Sequence, residues 1–413
     1  MMMRDRLSPT LAAMTGVALG LVVGPLLHRL RRVLRPPQGT HVVRGGESVQ
    51  VEKRDLVETV AACLVKSGAL REHAEVVAEC LVFADARGIP SHGVNRADFY
   101  CAELEAGLID GKAVGTTERE SGCCAVVDGR NALGAVVSQH AMELAISKAR
   151  QHGVGWVTCR GSNHFGAAGF WAQRALDAGL IGFSFTNTAP FMVPTGGRTR
   201  AVGTNPICCF APAGDDSFQL DMATTAVPIG KVEVLSRLGK QLPLGWGVDR
   251  HGMPCAEPEE VVSRGGLAPL GGSLETAGYK GYGLGMLVEV LTSVLSGASV
   301  GPDVPPWTTA REDPLGFGHC FIVIDPERFT PGFDARLGAY LSRMRGLDGD
   351  VITPGDPERQ RERAAAASGV SLHENIATSV AALASRLGVE LPDALRALDI
   401  ANARASTIIT GKA

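Results

Sequence analysis

No strand-like segment of this 413-residue chain runs into G-x-G-x-x-G, so the usual sign of a doubly wound dinucleotide domain is missing. The nearest run, Gly281-Tyr282-Gly283-Leu284-Gly285, lies inside a helical pattern and lacks the third spacing. C-x-x-C is also missing. The ten cysteines are scattered singly or as the neighbours Cys123–Cys124 and Cys208–Cys209, which excludes a zinc ribbon, a dithiol redox centre and a disulfide framework. No asparagine opens N-x-[ST], and most thiols sit in apolar runs, so a reducing compartment is expected. A basic excess is lacking too: the net charge is −3, and no nucleic-acid partner is expected. Charged residues make up 20% and hydrophobic ones 45%, which excludes a disordered chain and suits a globular enzyme of two or three domains.

The first forty residues stand apart, with six arginines against one aspartate. Leu7 to Leu27 is a run of 21 uncharged residues, about the length that spans a bilayer. The flank after it (His28, Arg29, Arg31, Arg32, Arg35) is more basic than the flank before it, which would place the body on the cytosolic side. Gly16, Gly20 and Gly24 would let two such helices approach closely. The expectation is an N-terminal hydrophobic helix that anchors residues 7–27 in a membrane. An Arg-rich organelle transit peptide and an incidental extension are the alternatives. Pro36 to Ser48 reads as a linker.

Beyond the linker, apolar residues recur at helical spacing from Arg54 to Arg87, with Gly88 and Pro90 as stops. Val94 to Ala106 reads as a further helix. Strands and helices then alternate: strand Ala125–Val127, helix Ala135–Gln151 closed by Gly153, strand Val154–Thr158, helix Gly166–Asp177 and strand Ile181–Phe185. A long apolar helix covers 279–296, and Cys320–Ile324 is a strand stopped by Asp-Pro. Charged, Ala-rich helices follow Pro354. The alternation predicts an α/β fold.

Five segments could carry chemistry. Ser91-His92-Gly93-Val94-Asn95-Arg96, with Tyr100 beyond, spaces His92, Arg96 and Tyr100 by four, on one face of the expected helix. An imidazole, a guanidinium and a phenol together suit a 2-oxo acid: arginine forks the carboxylate and histidine moves the proton. Gly161-Ser162-Asn163-His164-Phe165-Gly166 lies between a strand and a helix, where α/β folds place ligands, though Ser162 or Asn163 could simply cap the helix. The glycine turns at Gly196-Gly197 and Gly203-Thr204-Asn205 could offer amides to phosphate, or be ordinary turns. Asp221-Met222-Ala223 could meet ribose hydroxyls, and Lys231 a phosphate or the substrate; a strand-end acid and a surface lysine are the plain readings. Gly278-Tyr279-Lys280-Gly281 opens the apolar helix with free amides and a cation, or is a plain helix start.

Taken together and in this order, RGIPSHGVNR, GSNHFGAAGFW, GTNPICCFAP, DMATTAVPIGKVEV, GYKGYGLGMLVEVLTSVLSGA, GHCFIVIDPERF and VITPGDPERQRERAA resemble the malate/L-lactate dehydrogenase family over roughly residues 50–390. The resemblance implies an oxidoreductase moving a hydride between NAD(P)H and a small 2-oxo or 2-hydroxy acid. An imino-acid reductase and a catalytically inactive, membrane-tethered scaffold are the alternatives; a metal-dependent hydrolase lacks acidic ligands, and no metal is expected. The implied fold is α/β but not Rossmann: a largely antiparallel cofactor-binding sheet plus a helical domain, with the site near a homodimer interface. The implied domains are 48–120 joined by 325–413 (helical, substrate and dimer) and 121–324 (NAD(P)-binding), preceded by 1–47. On the substrate side the motifs match at Ser91, His92, Arg96, Tyr100 and His164. On the cofactor side they match at Asn163, Thr188, Gly196, Asp221, Met222, Ala223, Lys231, Gly278, Lys280 and Gly281. NAD is expected, with NADP open. The resemblance leaves open which histidine is the acid/base.

Overall fold

A computed structural model describes residues 48–307, 312–396; the expected membrane helix at Leu7–Leu27 lies outside them. Among the described residues no helix is long and apolar enough to cross a membrane.

The chain enters through β1 (Ser48–Val51) and the helical pair α1 (Lys53–Lys66) and α2 (Arg71–Ala86). The helical spacing seen in the sequence is what packs: Leu56, Val60, Cys63 and Leu64 meet Val77, Cys80 and Leu81 in one apolar cluster. Gly88 ends α2 in the left-handed region at φ +73. Where one helix was expected from Val94, two 3₁₀ turns (Pro90–His92 and Val94–Arg96) precede the shorter α3 (Ala97–Glu105). Pro90 and the extended Gly93 (φ −88, ψ −162) interrupt the helical ladder there.

Next come β2 (Thr116–Ser121), β3 (Cys124–Asp128), α4 (Gly134–His152), β4 (Val154–Ser162), α5 (Ala168–Asp177), β5 (Ile181–Thr186), β6 (Ile207–Ala213) and β7 (Asp216–Met222). A small lobe holds α6 (Ile229–Arg237), β8 (Gly247–Val248), β9 (Pro254–Cys255), α7 (Pro258–Ser263) and β10 (Gly266–Leu267). The long apolar helix follows as α8 (Tyr279–Glu289), continued by a π turn at Val290–Val294. β11 (Phe317–Ile324), α9 (Phe333–Arg345), α10 (Asp356–Ser368), β12 (Val370–His373) and α11 (Glu374–Leu387) complete the order.

Seven strands form one sheet in the order β2-β3-β4-β11-β5-β6-β7. Only β3 and β4 pair parallel, across the α4 crossover; every other neighbour is antiparallel. The sheet is thus largely antiparallel, as expected. Its centre is covered on both sides, and alternation along β11 shows how. Phe321 and Val323 face the cluster of α4 and α5, while Cys320 and Ile322 join Phe183, Phe185 and Val288 beneath α8. Two strand glycines let the helices close in. A Cβ on Gly155 would lie 2.0 Å from the Ala145 carbonyl of α4, and one on Gly182 would lie 2.5 Å from Ala175 of α5.

β1 pairs antiparallel with β12, joining the first helices to the C-terminal ones. The described residues form one compact unit. The small lobe is tied to it by Arg200, whose Nε donates to the Gly265 carbonyl (2.6 Å) and Nη2 to that of Val261 (3.0 Å).

Candidate active site

Three elements converge. β4 ends at Ser162 and turns through Asn163-His164-Phe165-Gly166 before α5; the 3₁₀ turns carry Ser91, His92 and Arg96; α3 carries Tyr100. His92 and Arg96 therefore do not share a helix face with Tyr100, because the helix starts only at Ala97. Space reunites what the helix does not: the His92 and His164 rings stack near-parallel at 5.7 Å, and the Tyr100 hydroxyl lies 2.5 Å from His164 Nδ1.

The tautomer of His164 follows from its neighbours. The Gly166 amide, which can only donate, points at Nδ1 from 3.3 Å. Nδ1 must then present its lone pair, so the Tyr100 hydroxyl donates to it and the imidazole proton sits on Nε2. Burial, with His92 and Arg96 nearby, holds the His164 pKa well below the usual histidine range. Burial first, then the Arg96 charge, pushes His92 down to about 4. Both rings are neutral at pH 7. Burial also raises the Tyr100 phenol well above its usual value, which keeps it a donor.

His92 shares its Nδ1 with the Ser91 hydroxyl at 2.9 Å. Arg96 spends Nε on the Ser91 carbonyl (2.8 Å) and lays its guanidinium over Trp307, 5.3 Å from the ring centre. Trp307 in turn stacks on His164 at 4.3 Å and meets the edge of Phe99. Among the described residues the two Nη groups of Arg96 have no hydrogen-bond partner, which leaves a fork free for a carboxylate.

Sequence reasoning missed Trp307, Asp85 and a third histidine. His319 on β11 receives the Ser162 hydroxyl at Nε2 (2.7 Å), donates from Nδ1 to Thr186 Oγ1 (2.8 Å) and stacks on Phe165. It fixes the Ser162–Gly166 turn from behind, and burial lowers its pKa to about 3. The only signal for it was a polar residue in an apolar strand; Trp307 lies in a loop without pattern.

The expected cofactor residues fall into several groups. Thr188 Oγ1 accepts the Thr204 amide (2.9 Å), and its own amide donates to Asn205, which is tied to Gly285 and Glu289 of α8. Asp221, one residue before the end of β7, accepts the Gly169 amide of α5 at 2.8 Å; Met222 beside it pairs with Ile207. Solvent reaches much of Asp221, yet the walls around its carboxyl push it up to about 6. It lines a cleft of about 390 Å³ with Arg87, Gln219 and Glu358. Ala223 follows it, and Thr224 returns to the Thr204 carbonyl. Lys231 lies in the first turn of α6, beside Gly230, where a Cβ would come 3.7 Å from Ser91. The small lobe thus abuts the turn that carries Ser91 and His92. Gly196 is exposed at φ +81 with open space around it.

Gly278 and Gly281 serve packing. A Cβ on them would meet the Gly272 carbonyl at 2.0 Å and Leu270 at 2.3 Å, and the Gly278 amide already donates to Ser273. Lys280 is exposed beside them. Among the described residues, two buried side-chain oxygens on the segments expected at the cofactor lack a hydrogen-bond partner: Asn163 Oδ1 and Thr195 Oγ1. Orphaned polar atoms there fit a polar ligand such as a pyridine nucleotide.

Fold and site define an α/β oxidoreductase whose site joins neutral histidines to a free arginine fork. The sequence pattern of the malate/L-lactate dehydrogenase family matches residues 51–381, and the chain belongs to that family. It is 43% identical over 284 residues to malate dehydrogenase of Pyrococcus horikoshii, covering 68% of this chain and 78% of that protein. It is 33% identical over 336 residues to an Escherichia coli ureidoglycolate dehydrogenase (NAD(+)), covering 79% of this chain and 94% of that one. The crystal structure of malate dehydrogenase from Entamoeba histolytica superimposes with a TM-score of 0.80 at 30% identity, covering 84% of this chain and all of that one. The chain is a pyridine-nucleotide-dependent dehydrogenase of small 2-hydroxy acids.

Proposed function

We propose that the protein interconverts malate or lactate with its 2-oxo acid using NAD, with His92 exchanging the proton and His164 serving as a fixed hydrogen-bond donor. The observation that carries this division is the pairing of Tyr100 and Gly166 on His164 Nδ1. With its proton held on Nε2, His164 has no lone pair to offer a hydroxyl. It polarises the oxygen instead. His92, neutral and with Nδ1 engaged by Ser91, can offer Nε2 as the base in the oxidative direction. The substrate carboxylate would sit in the Arg96 fork, and its charge would stabilise the imidazolium that forms.

Bound pyridine nucleotide takes or supplies the hydride. Thr188, Asp221 to Ala223, Lys231 and the unpaired Asn163 and Thr195 oxygens would hold it. The name of the Escherichia coli relative favours NAD.

The protein is further proposed to be a homodimer. Tyr279, Met286, Leu287, Val290 and Val294 leave a row of apolar side chains on α8 and its π turn about half exposed or more. Sedimentation of the purified protein checks this, a monomer at micromolar concentration opposing it. Attachment through residues 7–27 to a membrane, with the body in the cytosol, is proposed on the hydrophobic run alone; fractionation of the full chain against one beginning at Gly45 tests it.

The deciding test is NADH and NADPH oxidation with a panel of 2-oxo acids, alongside His92→Ala and His164→Ala. Loss of nearly all turnover in His92→Ala, with a residual rate in His164→Ala, is expected. The reverse order would exchange the two roles, and no turnover with any acid would overturn the substrate class.

A further inference from the structure

The turn that carries His92 and Arg96 is seated in the core by Val94, but its backbone has few hydrogen bonds. It consists of two three-residue 3₁₀ segments joined at an extended glycine, with single local bonds such as His92 N–H to Ile89 (3.1 Å), Gly93 N–H to Pro90 (3.3 Å) and Arg96 N–H to Gly93 (3.0 Å). Three-residue 3₁₀ segments have poorer bond geometry than an α-helix, so little of their position is set by their own bonds. What fastens this one comes from the last turn of α2. The buried Asp85 accepts the Val94 amide on Oδ2 at 2.7 Å, and its carboxyl lies so close to Gly93 that a Cβ there would sit 2.0 Å from Oδ1. The glycine is what lets the acid lie flush on the turn.

Building on the roles given above to Arg96 and His92, we infer that Asp85 is a positioning residue for substrate binding: its carboxylate clamps the Gly93–Val94 peptide and so aims the Arg96 fork and His92.

The clamp is strongest when ionised, because a charge-assisted hydrogen bond is about twice as strong as a neutral one. Burial raises the Asp85 carboxyl to about 7, only partly offset by the Val94 amide. His92 and Arg96 lie on the turn it holds, Arg87 lies just beyond its own helix, and Arg361 and Glu362 lie on α10, which packs across that helix end. Glu362 pairs with Arg87, and Arg174 of α5 pairs with Glu79; among the described residues none of these charges pairs with Asp85. Both site histidines are held neutral well below pH 7 in the free protein, and any proton His92 takes up with the 2-oxo acid would tighten binding as pH falls, so a loss of affinity on acidification through neutrality is the signature of Asp85. The sign is fixed by the raised value: above about 7 the clamp is charged and the turn is held, and below it the turn loosens.

The experiment measures kcat and KM from about pH 5.5 to about 8.5 for the wild type, Asp85→Asn and Asp85→Ala. In the wild type, KM for the 2-oxo acid should rise about 3- to 10-fold as pH falls through 7, while KM for the nucleotide stays level. Asp85→Asn keeps the shape and should show a high, flat KM together with a lowered kcat, since His92 loses its aim as well as Arg96; Asp85→Ala should bind more weakly still. A wild-type pH profile in Asp85→Asn, or a change confined to the nucleotide KM, overturns the assignment. The Val94 amide signal, read by selective ¹⁵N-valine NMR, needs no turnover. It should titrate near neutrality in the wild type and not in Asp85→Asn, and an amide flat across the range overturns the proposal even if an Asp85 variant fails to fold. If the wild type turns over no 2-oxo acid while the Val94 amide titrates, the substrate reading fails and the clamp stands.

Discussion

Arg96 is oriented before any substrate arrives. Its Nε is held by the Ser91 carbonyl and its plane by the face of Trp307, so the remaining fork loses little freedom on binding a carboxylate. Lysine would keep the charge but lose the fork and the stacking. Arg96→Lys should therefore lower kcat/KM by about 100-fold, mainly through KM, because a truncated charged hydrogen-bond pair costs roughly 2–5 kcal/mol. Wild-type steady-state constants in that variant would move the carboxylate elsewhere. Tyr100 acts through its neighbour. Tyr100→Phe removes one of two donors that fix the His164 tautomer, leaving only the longer Gly166 bond. A fall in kcat of about 10-fold with KM little changed is expected, in line with the loss of one hydrogen bond of about 1–1.5 kcal/mol. The ¹⁵N shifts of His164 should show Nδ1 gaining proton character; unchanged shifts would mean that the backbone alone sets the tautomer.

The turn that carries His164 is held between elements, and the glycine that opens α4 shows how tightly. A Cβ on Gly134 would stand 2.2 Å from the Asn163 carbonyl and 2.4 Å from that of His164. Backbone cannot step aside as a flexible side chain can. Gly134→Ala should cost about 1–3 kcal/mol of overpacking strain and lower activity more than stability, since the strain falls on the turn itself. Thermal unfolding and kcat measured on the same sample check this; full activity in a destabilised variant would contradict it. Gly134 also marks what the sequence could reveal. α4, α5, β4 and β5 were legible because their apolar residues keep a period between glycine stops, as at Gly153, and the 279–296 helix because its apolar run is too long for a strand. β2 was not, since its Thr-Thr-Glu-Arg-Glu-Ser is exposed throughout and has no apolar face to alternate. The His92–Arg96–Tyr100 spacing grouped side chains that the fold also groups, but by another geometry: they gather around His164 through tertiary packing, with no helix face in common. Trp307 and His319 have only local sequences that read as loop and strand, and their roles exist solely in the folded chain.

At the scale of the whole molecule, the C-terminal helices must stay on the sheet for the cleft at Asp221 to keep its wall at Thr353–Glu358. A closed ring of charges does this. Arg345 of α9 reaches Asp216 (2.5 Å) and Asp356 (2.8 Å), while Arg359 of α10 bonds Asp216 and reaches Asp356 (2.6 Å). Each arginine spans both carboxylates, so the start of β7, the end of α9 and the start of α10 are joined without a free charge. These arginines hold the carboxyls down against the cost of burial, Asp216 to about 2 and Asp356 well below the usual carboxylate range. A carboxyl lowered in the folded state adds stability that is complete above the unfolded value near 4 and is lost as pH falls through the folded one near 2. The pairs are partly exposed, so after solvent screening the ring is worth on the order of 1 kcal/mol rather than the full electrostatic sum. Asp216→Asn should accordingly bring the variant and wild-type melting curves together as pH falls from about 5 toward about 2, and added salt at pH 7 should narrow the gap in the same way. Because the ring walls the cleft that Asp221 lines, the same variant should weaken nucleotide binding while leaving KM for the 2-oxo acid in place. A loss that fell equally on both substrates would show that the ring supports the fold alone and has no part in shaping the cleft.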